Sequence, residues 1–145
     1  VIFVDTNILI DVLADDSTHR EWSQRQLDRA LINHQLAINP LVYAEVSPVY
    51  ASQERLDEVL AIMQVTVEPM SRRALFLAGK AHHAYRRRGG AQTRALPDFF
   101  IGAQAATAGA ALMTRDIARY KTYFPTLALI SPEENDQSAA GIESN

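Results

Sequence analysis

A three-layer α/β domain with a five-stranded, mainly parallel sheet is the fold this sequence predicts. Short, wholly apolar runs such as residues 1–4 and 36–38 are too short for helices. Without polar alternation, they suit strands covered on both faces. Segments of helical spacing separate these runs, as parallel crossovers require. A chain of 145 residues, 48% apolar and without cysteine, makes one domain that can bury a core without disulfides.

Residues 1–4 form the first expected strand, ended by Asp5, and Ile8 to Ala14 the first helix. Asp15, Asp16, Ser17 and Thr18 offer N-caps for a second helix carrying Trp22, Leu27, Ala30 and Leu31 and ending near His34. Leu36 to Ile38 is the second strand. Asn39 as cap and Pro40 at the first helical position open a third helix with Leu41, Val42, Val46 and Val49, which Pro48 shortens or kinks. A helix over Gln53 to Met63 precedes a strand at Val65 to Val67. Ser71 caps a long helix whose stripe is Leu75, Ala78, His82 and Tyr85 and which Gly89-Gly90 closes. Pro97 starts an Ala-rich helix running to about Gly109. The fourth strand is Ala111 to Thr114, then a short helix Ile117 to Tyr123 and a fifth strand Leu127 to Ile130. The domain thus spans residues 1–130, and residues 131–145, which lose the apolar pattern, read as an acidic, disordered tail.

The net charge of −3 conceals a segregation. The tail holds Glu133, Glu134, Asp136 and Glu143 and no base, while Pro69 to Pro97 holds seven bases and no acid. An acid-free window of this length points to a polyanionic partner, although a run of arginines also serves as a solvated helix face. No apolar stretch approaches the roughly 18 to 20 residues of a membrane span. The start of the chain lacks the pattern of a signal peptide, and the absence of cysteine is compatible with a reducing cytoplasm.

In an open parallel sheet the ligand crevice lies beyond the carboxyl ends of the strands, and acids stand there. Asp5 follows the first strand and Asp116 the fourth; Glu45 and Asp98 lie early in their helices, the ends that meet this rim. Each also has a plain structural use: Asp5, Asp98 and Asp116 as helix-start residues, and Glu45, on a stripe expected to be buried, in a core ion pair or on a rotated, exposed face. Together, four carboxylates on one rim call for a divalent cation, and hard oxygen donors without cysteine favour Mg²⁺ or Mn²⁺. Beside a basic surface, such a site suits attack of water on a phosphodiester.

The stretches Val4 to Asp11, Leu41 to Val46, Leu96 to Ala103 and Thr114 to Asp116 together resemble the acidic motifs of PIN-domain ribonucleases, most of all bacterial VapC-type toxins of toxin–antitoxin pairs. The resemblance implies strand order 3-2-1-4-5, with metal held by Asp5, Glu45, Asp98 and Asp116 and support from Thr6, Asn7 and Thr114. It also implies a homodimer, a cognate antitoxin near the site, and endonucleolytic cleavage of structured RNA to 5′-phosphate and 3′-hydroxyl ends. Arg86, Arg87, Arg88, Arg94 and Arg115 are the residues expected to grip RNA or an acidic antitoxin. Asp11 reads either as a residue of an exposed helix face or as support behind the site acids, and Tyr120 is expected in core or interface packing.

Two other classes compete. A catalytically silent PIN domain would bind without cleaving. A phospho-acceptor receiver module shares the fold class but needs an acceptor Asp after the third strand, where Val67 is followed by Glu68-Pro69, and a Lys after the fifth, where Ser131-Pro132 stands.

Overall fold

The computed structural model describes residues 1–14, 18–92 and 95–132; Arg94, Asp15, Asp16 and the tail from residue 133 lie outside the described residues. The elements run β1 (Ile2–Val4), α1 (Thr6–Leu13), α2 (Arg20–Leu31), β2 (Leu36–Ile38), α3 (Pro40–Val46) and α4 (Gln53–Ile62), then β3 (Val65–Val67), α5 (Arg72–Arg87), α6 (Leu96–Ala108), β4 (Ala111–Met113), α7 (Ala118–Tyr123) and β5 (Leu129–Ile130). The five strands are all parallel in the order β3-β2-β1-β4-β5. Every residue of β1 and β2 is buried. Successive side chains of a strand point to opposite faces, so both faces of the sheet centre are covered by helices. Among the described residues, no helix is long and apolar enough to cross a membrane.

Order reverses between β1 and β4, whose ends align with Val4 opposite Met113. Such a reversal opens a crevice at the carboxyl ends of the strands. There the Asp5 N–H bonds the Met113 carbonyl at 2.9 Å and the Thr114 N–H the Ile130 carbonyl at 3.0 Å, so the loops leaving β1 and β4 are held side by side.

Several local expectations change. Asp5 is itself the N-cap of α1, so the helix begins at Thr6 rather than Ile8. Asn39 caps α3 by accepting the Val42 N–H, and Pro48 falls in a 3-10 turn, Ser47–Val49, that ends that helix. The buried face of α5 is Ala74, Ala78 and Ala81, and Leu75 is exposed. These small side chains let α5 lie close against α6, which the larger leucine would prevent. Gly102 of α6 does the same for α7: a Cβ there would stand 2.6 Å from the Phe124 ring. Gly109 takes the left-handed C-cap of α6 at φ 63°.

Candidate active site

Asp5 sits at the bottom of the crevice, 4% exposed. Its Oδ1 accepts the Thr6 N–H at 2.8 Å, the capping bond of α1. Its Oδ2 accepts the Thr114 hydroxyl at 2.9 Å and the Tyr120 hydroxyl at 2.7 Å, with the Asn7 amide at 3.4 Å. The capping use and placement in a shared acidic site therefore coexist in one residue.

Each of the three supporting residues links separate motifs. Thr6 donates its hydroxyl to Glu45 Oε1 at 2.7 Å, tying the first turn of α1 to α3. The Asn7 amide donates to the Thr114 hydroxyl at 3.3 Å, while its oxygen accepts the Arg115 N–H at 3.2 Å. Thr114 accepts the Asp116 N–H at 3.1 Å while donating to Asp5, so Asp116 is tethered to the centre of the site. Glu45 is exposed, because the buried side of α3 is Val42 and Val46. The buried-stripe expectation gives way to the rotated face, and among the described residues Glu45 is in no ion pair. Asp116 is exposed and makes no cap of α7, whose N-cap is Ile117 without a side-chain bond.

Asp98 lies in the first turn of α6, where the helix dipole favours a carboxylate. Its Oδ2 accepts from Arg119 Nη1. Arg119 Nη2 donates to Gln92 Oε1 at 2.9 Å, and the guanidinium lies over the rings of Tyr85 and Phe99, 5.4 and 5.9 Å from their centroids. These rings belong to an aromatic group with His82 and Tyr123.

The acids feel one another. Burial pushes the Asp5 carboxyl up; the bonds from Tyr120, Thr114 and Thr6 pull against this, and the Asp116 charge adds to the rise. Glu45 is raised by its partial removal from water and by Asp5, against the bond from Thr6. Asp98 is pushed up to about 7, first by burial and then by the Asp5 charge, with Arg119 opposing and Asp116 adding. Asp5, Asp98 and Asp116 repel one another and Glu45 repels Asp5; carboxylates without a thiolate are the donor type a hard divalent cation takes, and its charge would relieve the repulsion. They are not drawn into a finished cage: among the described residues no three His, Asp or Glu side chains are grouped closely enough to hold an ion.

Arg86, Arg87 and Arg88 are exposed at the end of α5, with Arg88 over the Tyr123 ring at 5.6 Å. Arg115 is differently placed. It makes a two-point pair with Asp11, at 2.7 and 3.0 Å, and Ser23 donates to the same carboxylate at 2.7 Å. Asp11 is 2% exposed, contrary to the expected solvated face, because α2 packs across α1. Tyr120 and Arg119 escaped the sequence reading as site residues. Their signal was available: both stand in the first turn of a helix that starts directly after the strand-end acid Asp116. A cavity of about 500 Å³ lined by Phe3, Pro69, Gln104 and Gly109 lies at the opposite end of α6 from Asp98.

This arrangement, with acids from separate motifs at the strand-order reversal of a 3-2-1-4-5 sheet, is that of a PIN domain. The chain belongs to the PIN-domain family, which it matches over residues 2–125. Its fold is similar to that of a chain in the crystal structure of VapBC2 from Rickettsia felis bound to promoter DNA, with 21% identity, a TM-score of 0.68, and 90% of this chain and 97% of that one covered. A toxin–antitoxin complex from Klebsiella pneumoniae gives 23% identity, a TM-score of 0.66 and coverage of 91% and 98%. VapBC-1 from nontypeable Haemophilus influenzae gives 19%, 0.67, and coverage of 90% and 96%. No curated protein matches the chain in sequence.

Proposed function

We propose that this PIN domain is a Mg²⁺- or Mn²⁺-dependent endoribonuclease that acts in the cytoplasm as the toxin of a toxin–antitoxin pair. The observation that carries the reading is the meeting of Asp5, Asp98 and Asp116 in one electrostatic field at the β1–β4 reversal, with Glu45 coupled to Asp5. Asp5, Glu45, Asp98 and Asp116 are the residues that would hold the cation. When bound, a divalent ion supplies a Lewis acid that makes water a better nucleophile and offsets charge on the phosphate.

The chain's own residues do the positioning. Thr114 and Tyr120 fix Asp5 through donated hydroxyl bonds, Thr6 holds Glu45, and the Thr114 tether sets Asp116. The exposed Arg86, Arg87 and Arg88 give a phosphate backbone, or the acidic segment of an antitoxin, a cationic surface. That similarly folded chains occur in toxin–antitoxin complexes supports an antitoxin partner, and we take the working unit to be a homodimer.

The test is cleavage of structured RNAs with Mg²⁺ or Mn²⁺ against EDTA, for wild type and for folded Asp5→Asn and Asp98→Asn variants. Metal-dependent cleavage lost in both variants supports the reading. A folded wild type that binds RNA and cuts none of it with either metal favours the catalytically silent binding subunit.

A further inference from the structure

Arg119 holds a carboxylate that the site needs for other work. Its bond to Asp98 is largely out of water, the two side chains being 17% and 26% exposed. Gln92 and the faces of Tyr85 and Phe99 hold the guanidinium on the site side of α7. A guanidinium has five N–H donors in a rigid plane, so the two bonds to Asp98 and Gln92 leave it capacity for a further acceptor. It is weakly hydrated and stacks on aromatic faces, which lets it rest on this shelf whichever anion it meets.

We propose that Arg119 is the counter-cation of the metal-free site: it occupies Asp98 until a divalent ion claims that carboxylate, and the freed donors then take a phosphodiester oxygen of the substrate. This rests on the nuclease reading. Two cations compete for one carboxylate, so pairing with Arg119 weakens ion binding, and ion binding weakens the pair by the same factor. The divalent charge beside Asp98 repels the guanidinium, and an arriving phosphate offers it the planar two-point recognition that arginine favours. Arg119 thereby holds together a site whose acids would otherwise repel, and later becomes a contact to substrate.

The experiment uses the full chain with Arg119→Gln and Arg119→Lys. Mn²⁺ affinity is measured by calorimetry without RNA, and affinity for a fluorescent RNA hairpin is measured in EDTA and again with Ca²⁺. Arg119→Gln is expected to bind Mn²⁺ roughly five- to tenfold more tightly than wild type. It should bind the hairpin as wild type does in EDTA and several-fold more weakly with Ca²⁺. Arg119→Lys, a point charge without the fork, should shift both in the same direction by smaller factors, and it carries the test if Arg119→Gln fails to fold. Unchanged or weaker Mn²⁺ affinity, or an RNA loss equal in EDTA and Ca²⁺, overturns the proposal. A wild type that takes up no Mn²⁺ overturns the metal reading as well, and that result differs visibly from a wild type that binds Mn²⁺ as Arg119→Gln does.

Discussion

Tyr120 and Asp5 meet at 2.7 Å beneath the acidic rim, the phenol donating to Asp5 Oδ2 from the first turn of α7. Both side chains are buried, and burial together with the Asp5 charge pushes the Tyr120 hydroxyl well above its ordinary range. It therefore stays a proton donor at any neutral pH. With Thr114 on the same oxygen and the Thr6 N–H on the other, Asp5 is oriented before any ligand arrives.

Tyr120→Phe removes one donor and keeps the ring. The expected cost is about 1 kcal/mol of stability, the usual net worth of one hydrogen bond. If Asp5 holds the cation, loss of its Tyr120 partner should lower Mn²⁺ affinity roughly tenfold or more while the fold persists. Urea unfolding in EDTA and calorimetric Mn²⁺ titration read the two effects separately. A variant with wild-type Mn²⁺ affinity would reduce Tyr120 to core packing.

Asp98 makes the metal-free protein sensitive to pH. Its folded carboxyl titrates near 7, against about 3.9 in an unfolded chain. Between those values the folded state keeps a proton that the unfolded state has lost, so stability declines as pH rises from about 4 to about 7 and levels off above. A shift of about three units sets a ceiling of about 4 kcal/mol. Asp5, also raised, acts in the same direction. In EDTA the melting temperature should therefore be lower at pH 8 than at pH 5, and Asp98→Asn should flatten much of the slope. A flat wild-type profile would contradict the crowding of these acids.

The alternation of apolar runs and helical segments made the sheet legible, because strands covered on both faces carry their burial in composition alone. Asp5 and Asp116 were legible for a related reason: strand ends are easy to find, and acids there have a known destination. Glu45, expected early in its helix, stands instead in the last turn of α3. What the sequence hid were contacts across distant segments. Asp11 reads as solvated from its own helix, yet α2 covers it and Arg115, 104 positions away, pairs with it. Glu45 and Leu75 show the other limit. A helical stripe is determined by which neighbour packs on it, and a turn of one position separates a buried face from an exposed one.

Arginines close in sequence to the site should behave in opposite ways. Arg115 gives two bonds to the buried Asp11 carboxylate, so removing the arginine takes both from a group held out of water. Arg115→Ala should therefore destabilise the protein, by up to the roughly 3 kcal/mol typical of a broken buried pair. The triple variant Arg86→Ala, Arg87→Ala, Arg88→Ala removes exposed side chains and should change stability by about 0.5 kcal/mol or less per residue. If those three contact phosphates, it should also lower the salt dependence of RNA binding by roughly 0.7 to 0.9 of a log unit per lost contact. Urea midpoints and a salt titration of RNA affinity distinguish the two groups.

Two glycines in helices predict opposite signs for the same substitution. Gly79, in the exposed middle of α5, has nothing within 4 Å of where a Cβ would stand. Gly79→Ala should stabilise the protein by roughly 0.5 to 1 kcal/mol, through helix propensity alone. At Gly102 the same Cβ would lie 2.6 and 2.8 Å from the Phe124 ring and 3.1 Å from Tyr120. Both rings are buried. Overpacking of this kind costs about 1 to 3 kcal/mol, which exceeds the propensity gain. The tightly approached Tyr120 ring also carries the hydroxyl that orients Asp5, so Gly102→Ala should lower Mn²⁺ affinity as well as the unfolding midpoint. Gly79→Ala should leave Mn²⁺ affinity unchanged. Equal effects of the two substitutions on Mn²⁺ binding would break the proposed link from α6, through Tyr120, to the acidic site.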